Sequence, residues 1–158
     1  FGEFDIGPTF SAGPLVLTPM IGAGFNWSTK QMTYVIPQFY TTLNSDSLYG
    51  ESWLWLPLFS LNHSGGPNQF YTRDFLLFKA THDFRIGPAL ELTIGLNDAG
   101  KGGAGGKTLQ SLPVGGMIEY NAKADWQGTI GIFLGVETQT PNKINDKLVG
   151  RLTYIHTF

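Results

Sequence analysis

Apolar and polar residues alternate through most of this chain. In ALELTIGLN (89–97), Leu90, Leu92, Ile94 and Leu96 share one parity, while Ala89, Glu91, Thr93, Gly95 and Asn97 share the other. GTIGIFLGVET (128–138) sets Ile130, Ile132, Leu134 and Val136 against Thr129, Gly131, Phe133, Gly135 and Glu137. PVGGMIEYNA (113–122) sets Gly116, Ile118 and Tyr120 against Gly115, Met117, Glu119 and Asn121. PLVLTPMIGAGFNW (14–27) places Leu15, Leu17, Pro19, Ile21, Ala23, Phe25 and Trp27 on one side. The final residues repeat the pattern, with Leu148, Leu152, Tyr154 and Phe158 on one parity and Val149, Arg151 and Thr153 on the other. A period of two predicts strands with two unlike faces. No window shows the i, i+3, i+4, i+7 pattern of an amphipathic helix.

The middle is less regular. QMTYVIPQFYTT (31–42) and ESWLWLPLFSLN (51–62) are apolar on both parities, and 70–84 mixes Lys79 and Asp83 with Phe75 and Leu77. Pro19, Pro37 and Pro57 fall inside strand segments, where each removes a ladder hydrogen bond. Turn chemistry marks short connections at SAGP (11–14), NSDS (44–47), RIGP (85–88) and KADWQG (123–128). Longer ones fall at 63–69, 97–110 and 140–146, and WSTK (27–30) joins their class by order. Tight turns at one rim and loops at the other describe a meander. The Gly-rich stretch NDAGKGGAGGKTLQ (97–110) lacks the spacing of a phosphate loop and no helix pattern follows it.

Composition places this meander. Charged residues are 14%, against about 25% in typical soluble domains, aromatics are 14%, and 21 of 158 residues are Gly. The less apolar faces carry sparse charges, Glu91, Glu119, Glu137 and Arg151, among small residues. A water-facing surface would be denser in Lys and Glu. Sparse charges among Gly and Thr suit a crowded lumen, with the apolar faces toward lipid. Segments of 10 to 14 residues also match the 9–11 that a membrane strand needs. The expected fold class is therefore all-β: an antiparallel up-and-down transmembrane β-barrel. Residues 14–158 make about eight strands. Residues 1–13 are a periplasmic arm or an extra strand, with ten strands if the chain is truncated before Phe1.

The closing GRLTYIHTF (150–158) ends on an aromatic residue with apolar residues at alternate positions before it. It resembles the last strand of bacterial outer-membrane β-barrel proteins, small barrels of that class in particular. Phe158, Tyr154, Leu152 and Leu148 match, while His156 and Gly150 fit less well. The resemblance implies a bacterial outer-membrane location, a periplasmic C-terminus and recognition of the last strand by the barrel-assembly machinery.

The expected partners are the lipid bilayer, that machinery and a protein docking on the apolar run 51–61. A net charge of -2 argues against nucleic acid. The chain has no Cys, hence no disulfide or thiolate metal site, and no cofactor or metal is expected. The lumen network is assigned to Glu91, Glu119, Glu137, Arg151 and Lys79. The interfacial aromatics are assigned to Trp27, Trp53, Trp55, Trp126, Tyr154 and Phe158. The expected role is structural, interactive or that of a narrow, porin-like channel for small solutes. An outer-membrane enzyme acting on lipid or peptide is the competing reading, with His63, His82 or His156 as its histidine, and no catalytic constellation stands out. A soluble lipocalin-like barrel binding an apolar ligand is the third.

Overall fold

The computed structural model describes residues 2–56, 59–60, 69–96, 109–122, 128–138 and 147–156. Among them lie twelve strands in one antiparallel sheet: β1 (Gly2–Ile6), β2 (Phe10–Ala12), β3 (Leu15–Asn26), β4 (Gln31–Asn44), β5 (Leu48–Trp55), β6 (Phe59–Ser60), β7 (Gln69–Lys79), β8 (Phe84–Gly95), β9 (Leu109–Ser111), β10 (Pro113–Ala122), β11 (Gly128–Glu137) and β12 (Leu148–His156). The path runs β1-β3-β4-β5-β7-β8-β10-β11-β12, with β2 beside β3, β6 beside β4 and β9 beside β8. The all-β meander expected from the alternation is present.

Three short strands continue their neighbours after a break, and proline explains where the breaks fall. β1 pairs with β3 over residues 21–25 and β2 over 15–17, so the interruption at 7–9 lies beside Pro19. Proline has no N–H to give the ladder. The chains close up there: a Cβ on Gly7 would sit 1.8 Å from the Pro19 carbonyl oxygen. β4 changes partner from β5 to β6 around Pro37, and Pro113 opens β10 two residues after β9 ends at Ser111. Pro57 itself lies outside the described residues. Residues 2–12 therefore form a strand along β3, and the path has nine positions, eight of them from β3 onward.

The turns show local chemistry. Gly13 takes a positive φ of 59° between β2 and β3. Asn26 Oδ1 accepts from Ser28 N at 3.0 Å after β3. Thr81 Oγ1 accepts from Phe84 N at 3.0 Å, and Thr81 N donates to Phe84 O at 3.1 Å. This last turn corrects the expectation at RIGP (85–88). The chain reverses at 80–83, and Arg85 through Pro88 belong to β8. Pro88 lies inside that strand opposite Gly116. Where it sits, the β7–β8 register is interrupted at Leu76 and Leu77.

One layer of sheet buries one of its faces, which it can do only by curling on itself. Phe75, Leu77, Ala89, Met117 and Phe133 cluster on the concave side. The convex side is apolar and bare: Ile86, Ile118, Ile132 and Leu134 are all about half exposed or more, and Leu152 reaches 73%. No ladder joins β1 to β12 among the described residues, so the sheet is open. The expected closed barrel is in this respect corrected: strand pairing runs from β1 to β12 and stops at both edges.

Candidate functional site

The concave face gathers almost all the buried polar groups. In β5 and β7–β12 it carries carboxylates facing guanidiniums. Glu51 and Arg73 come from neighbouring strands and approach to 3.8 Å. Arg85 Nη1 and Glu119 Oε2 are 3.5 Å apart, with side chains 12% and 3% exposed. Arg151 Nη2 donates to Glu91 Oε2 at 2.7 Å, and its Nη1 donates to the Tyr71 hydroxyl at 3.3 Å. β10 and β11 separate β12 from β8 along the sheet, so this bond crosses the hollow of the curl. Aromatic faces cover the cations. The Arg85 guanidinium lies 3.9 Å from the Tyr49 ring centre, and Arg73 lies 5.4 Å from that of Trp53. The Tyr49 hydroxyl in turn donates to Glu51.

A second polar group occupies β1, β3, β4 and β5. Gln38, 1% exposed, donates through Nε2 to Glu3 Oε1 at 2.8 Å and to Asp5 Oδ1 at 2.7 Å. Its Oε1 accepts from Trp53 Nε1 at 2.6 Å, and the Tyr34 hydroxyl donates to Glu3. Glycine makes the space. A Cβ on Gly22 would fall 2.4 Å from Gln38 Nε2 and 2.5 Å from Asp5 Oδ1.

The turn end of the sheet holds a polar cavity of about 450 Å³ lined by Asn44, Asp46, Lys79, Thr81, His82 and Arg85. Lys79 Nζ donates to Asn44 Oδ1 at 2.8 Å and to the Ser45 carbonyl. His82 Nδ1 sits 2.7 Å from Asp83 Oδ1 on an exposed turn.

The assigned lumen residues thus divide. Glu91 and Arg151 meet each other. Glu119 meets Arg85. Lys79 lies at the rim against the β4–β5 turn. Glu137 accepts from Leu112 N at 2.7 Å and from the Ser111 hydroxyl, at the opposite end of the sheet from the 80–83 turn. The aromatics divide too. Trp27 is 56% and Tyr154 54% exposed, whereas Trp53 and Trp55 are corrected: they point into the hollow, Trp53 onto Gln38 and Arg73, Trp55 against Tyr71. Trp126, Phe158 and His63 lie outside the described residues. His156 ends β12 opposite Gly128.

Sequence reasoning missed Glu51, Arg73, Arg85, Gln38 and the pair Glu3–Asp5. Arg85 was hidden by reading RIGP as a turn. Glu51 opens a segment apolar on both parities and Arg73 lies in one of mixed parity, so alternation gave no clear inside at either. The odd positions of FDIGPTF (4–10) and Glu3 did carry a signal: acids alternating with Phe4 and Ile6.

Compared with known protein families, curated proteins and solved structures, the chain matches none.

Proposed function

We propose that the chain is an integral β-protein of a bacterial outer membrane with a structural and interaction role. One observation carries the reading: its burial is inverted. Gln38, Glu51, Glu91 and Glu119 are hidden on the concave side, while Phe4, Ile6, Ile21, Phe78, Ile132, Leu134 and Leu152 stand exposed on the other. Water does not tolerate so continuous an apolar surface on a monomer, whereas lipid requires it. A lipocalin-like barrel would put its apolar side inside, so the same inversion speaks against that alternative.

The filled hollow favours a structural role over a general pore. Phe75, Leu77, Met117 and Phe133 pack together there, and the cross-hollow bond from Arg151 to Glu91 spans the remaining space. Small barrels have side-chain-filled interiors.

The chain is expected to require detergent for extraction, to give β-type circular dichroism, and to shift mobility on unheated gels. A chain that stays monodisperse in buffer without detergent refutes the proposal.

A further inference from the structure

The convex face has a groove of about 400 Å³ with apolar walls at Leu43, Leu76, Pro88, Leu90 and Val114. It opens over Gly50, which lies in register between Leu43 and Leu76. One of its lining residues is Asp74. Asp74 is the middle residue of β7, five from Gln69 and five from Lys79. It belongs to the outward parity, with Leu76 and Phe78. Ser52 Oγ donates to one carboxylate oxygen and Thr72 Oγ1 to the other, at 2.8 Å. Each oxygen can accept a further bond.

This inference rests on the membrane reading above. There the middle of β7 is the middle of the bilayer, and an ionisable side chain on the lipid side at that depth is unfavourable unless it meets a partner. Lipid headgroups are half a membrane away. Among the described residues a second copy brings no cation at that depth: Arg73, Arg85 and Arg151 engage groups on the concave side, Lys79 bonds at the rim, and Lys30 and Lys147 lie beyond strand ends. We infer that the Gly50 groove docks a membrane-spanning segment of another protein, whose Lys or Arg at mid-depth pairs with Asp74. The groove supplies shape, with Gly50 at its floor between the Leu43 and Leu76 walls. Asp74 supplies selectivity through charge.

The test uses two synthetic membrane-spanning peptides of about 20 Leu and Ala residues, one with a central Lys and one with a central Leu. Binding is read by energy transfer in lipid vesicles to a dye on the Ser28→Cys chain, which has no other cysteine. The Lys peptide is expected to bind about tenfold more tightly, a difference of about 1.4 kcal/mol. Asp74→Asn should erase that difference. Val114→Phe, which narrows the groove from an exposed wall position, should weaken both peptides. Equal binding of the two peptides, or a difference that survives Asp74→Asn, overturns the inference while leaving the membrane reading intact. A chain that fails to insert, judged by its unheated gel mobility, overturns both.

Discussion

The two halves of the concave face hold carboxylates in different ways. On the β1–β5 side, Glu3 and Asp5 converge on one amide nitrogen of Gln38, backed by a phenol and an indole. On the β7–β12 side, Glu91 and Glu119 each face a guanidinium, and Glu51 reaches across from β5 to Arg73. The two arrangements depend on different partners. An ion pair is all or nothing: losing one partner strands a charge in a poor solvent. An amide hub bonds more weakly to each neighbour, but one residue, Gln38, holds three others directly. Gly22 and Gly24 enable the hub by leaving room for Gln38 and Tyr34, whereas the ion pairs are roofed by Tyr49 and Trp53.

The largest effect is expected at Arg85. Replacing it with Met leaves Glu119 buried without its cation and should cost about 3–5 kcal/mol, measured by urea unfolding in detergent micelles. The double variant Arg85→Met/Glu119→Leu should recover most of the loss. No recovery would mean that Arg85 acts through packing on Tyr49 and not through its charge. Gln38→Leu should cost less, about 1–3 kcal/mol, because it unpairs neutral and ionic groups at once without removing a counter-charge. A larger loss than at Arg85 would reverse the ranking of the two halves. Arg151→Ala is the mildest. Its side chain is 40% exposed, so about 1 kcal/mol is expected, with a loss that shrinks in high salt.

The strand faces were legible in the sequence because parity is local. Ile118, Ile132 and Leu134 fall where alternation puts them, and so do Glu91, Glu119 and Arg151. What alternation could not reveal depends on other strands. Trp53 looks like an interfacial aromatic until Gln38 and Arg73 are brought beside it from β4 and β7. RIGP carries turn residues, yet Thr81 captures the amides of Asp83 and Phe84 and sets the reversal earlier. Asp74 sat in a segment whose parity was mixed, so nothing marked it as an acid on the apolar side.

The path of nine strands has a consequence for how its edges can be joined. In an antiparallel meander each strand reverses the last, so the first and ninth positions, β1 and β12, run in the same direction. Brought together, they would make a parallel seam, with slanted hydrogen bonds that are slightly less stable per residue. A wholly antiparallel closure needs an odd number of further strands inserted at that seam, to make the total even. The direction of the chain, set by counting alone, thus limits which strands can close this sheet.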